Sequence, residues 1–208
     1  MRSSPCPIAG LKLAPEVPMT TEPKAFETIE DLESWLSRNH DTESELIVRL
    51  YKVQSGIPSI TWDELVQGIL CWGWIDGIKR SYDAVSYTQR ITPRKPRSSW
   101  SKRNVAHVER LIDEGRMQPS GLAHVEAAKA DGRWDAAYAG PADMVIPPDF
   151  LAALDAVPEA RATYDGLASG WRYSIYHALH SAKKPVTRLA RMDRMIARMA
   201  EGLPPVKR

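Results

Sequence analysis

The chain has 208 residues, with 28 lysines and arginines against 26 acids and a net charge of +2. That balance is too even to mark a nucleic-acid binder by itself, while an apolar fraction of 43% is enough for a packed core. No apolar run approaches the ~20 residues of a membrane-spanning helix, and the N-terminus lacks the basic-then-apolar layout of a secretory signal. Cys6 lies in a Pro-rich leader and Cys71 in an apolar helix end, so no structural disulfide is expected. A soluble protein of the cytoplasm is the reading that follows.

Residues 1–25 carry prolines at 5, 7, 15, 18 and 23 with no period and are expected to form a flexible leader. Thr28 with Asp31 forms a capping box for a helix over about 28–38, striped by Ile29, Leu32 and Leu36. Glu45 to Lys52, ELIVRLYK, reads as a strand bounded by polar residues. Thr61 with Glu64 caps a second helix over about 62–72, which Gly73 ends. The stretch WIDGIKRSY is extended, with a turn near Asp76-Gly77 or at Asp83, and Ser86 to Ile91 alternates as another strand. Pro93 and Pro96 are expected to stand outside any ladder. Ser99 or Ser101 caps a helix striped by Val105, Val108, Leu111 and Ile112, and another starts at Pro119-Ser120-Gly121. After a connector at 133–148, everything from Asp149 is helical in period. The last helix sets Leu189, Met192, Ile196 and Met199 inward, and most of Arg188, Arg191, Arg194 and Arg198 outward or against acids such as Glu30 and Glu33. The fold class is therefore α+β, with a small sheet and packed helices in the N-terminal half followed by a helical C-terminal half.

The chain is organised around Ile69 to Asn104, which holds three of the seven tryptophans, Trp72, Trp74 and Trp100. Its end, Arg90 to Arg103, carries Arg90, Arg94, Lys95, Arg97, Lys102 and Arg103 and no acid. Cations beside aromatic rings and a helix N-terminus suit an anionic or planar ligand. The expected site brings Trp74, Arg90, Arg94, Trp100, Lys102, Arg103 and Asn104 into one concavity; a solvated basic loop and buried tryptophan anchors are the plainer alternatives. Asp76 is the one weak candidate for acid-base work, although an aspartate before glycine more often shapes a turn. His177 and His180 stand three apart without supporting ligands, so no metal is expected. No phosphate loop or cofactor motif is present; Cys71 reads as buried, and Ser99 and Ser101 have no base near them in sequence, which leaves a base from elsewhere in the chain open.

Trp72-Gly73-Trp74-Ile75-Asp76-Gly77, Arg90-Ile91-Thr92-Pro93-Arg94, Ser99 to Asn104, Gly115-Arg116-Met117 and Gly121-Leu122 follow in order, and Ala182-Lys183-Lys184 with Thr187-Arg188 precede an Arg-Met-Ile helix and Gly202. This series resembles the YdeI/OmpD-associated family, also described as bacteriocin-protection proteins, over roughly Phe26 to Gly202. Pro185-Val186 departs from it, where an acidic residue is expected. The resemblance implies a YdeI-like domain at 26–132, an OmpD-associated-like region at 149–202 and a tail at 203–208. It implies a part in tolerance of bacteriocins, antimicrobial peptides or envelope stress, and supplies no reaction, cofactor or catalytic residue.

Three functions follow in rank. The first is a non-enzymatic protein binding a small anionic ligand or a protein partner. An enzyme acting on a phosphorylated or carboxylated small molecule comes next. A nucleic-acid binder ranks last, because no reading motif appears. The oligomeric state is left open.

Overall fold

The computed structural model describes residues 22–206. The expected leader falls mostly outside these residues. Helix α1, Ile29–Asn39, starts from the foreseen capping box: the Asp31 N–H donates to the Thr28 hydroxyl at 3.2 Å, and the Thr28 N–H to the Asp31 carboxylate at 3.3 Å. Strand β2, Leu46–Tyr51, follows, and α2, Trp62–Cys71, opens on the Thr61–Glu64 box. Gly73 leaves that helix at φ 77°, a left-handed conformation that glycine adopts at little cost.

Strands β3, Trp74–Ser81, and β4, Ser86–Pro93, form an antiparallel hairpin, and β2 lies antiparallel on the other side of β4. The hairpin turns at Asp83, whose Oδ1 accepts from the Val85 N–H and the Ser86 hydroxyl. Asp76-Gly77 instead marks a shift in the β3–β4 register. Two expectations need correction. Pro93 remains in the ladder, opposite Trp74, since a proline at a strand end removes only one donor. A fourth strand, β1, Lys24–Ala25, pairs parallel with β2 and completes the order β1-β2-β4-β3. Two residues are too few to show a period, so no local pattern announces it.

Leu46, Val48, Leu50 and Ile91 point from the sheet onto α1 and α2, where Leu32, Leu36, Leu65 and Ile69 are almost wholly buried. Each such side chain contributes about 1.5–3 kcal/mol relative to an exposed one. The other face of α2 packs through Val66 and Leu70 against α3, Lys102–Asp113, and α4, Pro119–Ala130. The remaining helices are α5, Pro148–Asp155; α6, Pro158–Asp165; α7, Ser169–His180; and α8, Pro185–Ala200. They enclose a third cluster around Phe150, Leu154, Ile175, Leu179 and Met199. No named strand among the described residues follows Pro93, and the fold is α+β.

Three of the four α8 arginines find local partners rather than acids of the N-terminal half, and Arg194 is exposed. Arg188 donates to Asp149, with Nη2 to Oδ1 at 2.8 Å, and Arg191 to the Ala178 carbonyl and the Ser181 hydroxyl. Arg198 donates to the Pro204 carbonyl. Glu33 pairs with Arg116 on the loop before α4. Leu189, expected inward, is 55% exposed.

Candidate anion-binding site

The site is built where β4 leaves the sheet. The Arg94 backbone N–H donates to the Gly73 carbonyl at 2.9 Å, which ties the loop to the end of α2. A side chain at Gly73 would meet His124 at 2.7 Å and the Ser120 carbonyl at 3.0 Å. A side chain at Gly121 would lie 2.2 Å from the Cys71 carbonyl. The two glycines thus let the start of α4 press against the end of α2, where the Gly73 carbonyl holds the Arg94 backbone.

Arg94 is 4% exposed. Its Nη1 donates to the Ser99 carbonyl at 3.1 Å, and its guanidinium lies over the Trp100 ring at 3.7 Å. Nε and Nη2 are buried and have no hydrogen-bond partner; the same holds for Trp100 Nε1 and Ser120 Oγ. Burial pulls the Arg94 pKa down to about 10; Tyr138 and Asp76 oppose that pull and the Arg133 charge adds to it. Trp100 packs its other contacts on Trp134, with ring centroids 4.9 Å apart.

Asp76 is half-buried and accepts a hydrogen bond from the Trp62 side chain; burial nevertheless pushes its carboxyl up, against the pull of that bond, Arg103 and Arg94. Tyr138 is seated by backbone bonds from its N–H to the Trp100 carbonyl and from the Lys102 N–H to its own carbonyl. Burial raises its phenol, which shares a hydrogen bond with Ser101. His124 is held below the usual histidine range by burial and by the Arg94 and Arg133 charges. Arg133 donates through Nε to both oxygens of Asp131 at 2.8 and 2.7 Å, and through Nη1 to the Ser98 carbonyl.

The expected residues are only partly brought together. Arg94 and Trp100 stack, and Asp76 and Arg103 lie within electrostatic reach. Arg103 is already bonded to Asp63 at 2.7 Å and lies over Trp62. Trp74 goes into the sheet core at 1% exposure, where its indole N–H donates to the His40 carbonyl and its ring meets Trp35 edge-on. Arg90 points to the solvated face, opposite in sense to its neighbour Ile91, and pairs with Glu45 at 2.7 Å. Lys102 is exposed, and the Asn104 N–H is used in capping by the Ser101 hydroxyl at 3.1 Å. One concavity holding all seven is therefore not what the chain builds. Trp62, His124, Arg133 and Tyr138 were missed, since each reads as an isolated residue on a helix or in the connector. The one signal within reach was Tyr138, a lone large aromatic in an Ala-rich run.

His177 and His180 face the connector: His177 meets the Tyr138 ring at 4.9 Å, and His180 Nε2 lies 3.0 Å from the Ala136 carbonyl. Among the described residues no group of three or more His, Cys, Asp or Glu side chains is placed to hold a metal.

Comparison with protein families divides the chain. Residues 24–124 match a domain of unknown function (DUF8412), and residues 143–202 match the family described as Bacteriocin-protection, YdeI or OmpD-Associated. Neither a curated protein nor a solved structure matches the chain. The motif series from Trp72 to Leu122 falls within the first segment, so the family match is narrower than the resemblance read from Phe26 to Gly202. The helical region over residues 143–202 is thus similar to the YdeI/OmpD-associated family, and it follows a segment that matches a domain of unknown function.

Proposed function

We propose that this protein binds a small anionic ligand at Arg94 and Trp100 and, without catalysing a reaction, contributes to tolerance of bacteriocins, antimicrobial peptides or envelope stress. The observation that carries the binding reading is the Arg94 guanidinium, buried with two of its nitrogens, Nε and Nη2, unpartnered. A buried charge without a hydrogen-bonded counter-ion is costly, and a bound anion would remove that cost. Stacking on Trp100 and the bond to Ser99 hold the group in place, so little freedom is lost on binding. The protective role rests on the family description of residues 143–202. We place the protein in the cytoplasm; among the described residues no helix is long and apolar enough to cross a membrane.

Asp76 supports a second reading. Its carboxyl, raised by burial and within electrostatic reach of Arg94, favours an acid-base role toward a bound anion. Thermal unfolding in increasing phosphate and acetate tests the binding reading. Saturable stabilisation is expected in the wild type and in Arg90→Gln, and none in Arg94→Met. An equal response of all three proteins would overturn it. Survival of a strain lacking the gene, complemented with wild type or Arg94→Met and challenged with bacteriocin, tests the protective role.

A further inference from the structure

The free donors of Arg94 are not interchangeable. Nη1 is taken by the Ser99 carbonyl, and one face of the planar guanidinium is covered by the Trp100 ring. What remains is Nε–H and Nη2–H, the adjacent and coplanar pair along one edge of the guanidinium. Two parallel donors on one edge match the two oxygens of a planar carboxylate. The surrounding charges narrow the choice further. Arg133 is neutralised by Asp131, Arg103 by Asp63 and Arg90 by Glu45. Of these four arginines, Arg94 is thus the one without an acid bonded to it, and Asp76 adds a carboxyl within its electrostatic reach. A single negative charge matches that balance, whereas a second would face Asp76 without a cation to answer it. Ser120 Oγ, also buried and unpartnered, belongs to the start of α4 that presses against Gly73.

Resting on the anion-binding reading, we propose that the ligand is a monocarboxylate, held bidentate by the Nε–H and Nη2–H of Arg94, and that Asp76 discriminates against phosphate dianions.

The test uses the full chain in mildly alkaline buffer, where phosphate is mainly the dianion, with acetate and inorganic phosphate as separate probes. Calorimetry reads affinity, and the Arg94 Nε–H resonance reads the contact. Acetate is expected to saturate and move that resonance, while phosphate binds at least about ten-fold more weakly. Arg94→Lys keeps the charge without the fork and is expected to lose about ten-fold or more of acetate affinity. Asp76→Asn removes the opposing charge and is expected to bring phosphate up toward acetate. Phosphate binding as tightly as acetate to the wild type overturns the carboxylate assignment and leaves anion binding standing. No saturable response to either probe, with the Arg94 Nε–H unmoved, overturns both. An Asp76→Asn protein whose preference is unchanged removes the discriminating role from Asp76.

Discussion

Arg94 and Arg133 are two buried arginines that hold the same loop from its two sides. They are 4% and 8% exposed, and they donate to the adjacent carbonyls of Ser99 and Ser98. Arg133 carries its own acid two residues away, Asp131, bonded through both carboxylate oxygens. Arg94 has no such partner, and two of its nitrogens stay unmatched. One arginine is finished as a structural clamp. The other is held by the fold with its donors unused, which is the arrangement expected of a group kept for a ligand.

Trp100 is common to both sides, since it stacks under Arg94, packs on Trp134 and exchanges backbone contacts with Tyr138. Trp100→Ala should therefore have the largest effect, a loss of about 3–5 kcal/mol in urea unfolding, with both clamps loosened. A loss below about 1 kcal/mol would show that the loop is held without it.

The two arginines should then part company. Arg133→Met forfeits the bond to the Ser98 carbonyl, with an expected loss of about 1–3 kcal/mol. Arg94→Met also frees a carbonyl but removes an unpaired buried charge, and these effects oppose each other. Its stability is expected within about 1 kcal/mol of the parent, with the anion response gone. Equal destabilisation by both substitutions would erase the contrast.

His124 reports the same difference through pH. Its folded pKa lies below the ordinary 6.5 because of burial, then Arg94, then Arg133. The unfolded chain therefore takes up the proton first, and this contribution is complete above 6.5 and lost as the pH falls below it. Asp76 has the opposite sign, since its raised carboxyl regains stability as acid protonates it. His124→Asn should flatten the loss in urea midpoints below neutrality. In NMR titrations, Arg94→Met should raise the His124 pKa more than Arg133→Met does; the reverse order would place Arg133 nearer.

The smallest effect is expected at Arg90, whose pair with Glu45 is about half exposed on both sides. Arg90→Gln should cost ~0–1 kcal/mol and leave anion binding intact. A lost anion response there would return Arg90 to the site.

Much of the fold was legible from local chemistry. The Thr28–Asp31 and Thr61–Glu64 boxes, the alternation through β2 and β4, and the prolines at the starts of α4 to α6 and α8 each act within a few residues. Sequence periodicity sees such signals directly. β1 escaped because its two residues form a strand only by pairing with β2. Leu189 escaped because helical spacing does not say how wide a buried face is.

The sequence by itself determined that a cationic, tryptophan-bearing loop follows the hairpin, because composition and strand-to-helix order are local properties. Only the tertiary structure decided which of its arginines is buried without a bonded acid. Arg90 and Arg103 look as available as Arg94 along the chain. Their acids, Glu45 and Asp63, lie 45 and 40 residues away and reach them only after the sheet and α2 have packed. Arg94 is buried where its backbone meets the end of α2 and its guanidinium meets Trp100, and no acid is bonded to it there. Charge pairing and desolvation depend on distance in space, and that distance is set when the elements close on one another.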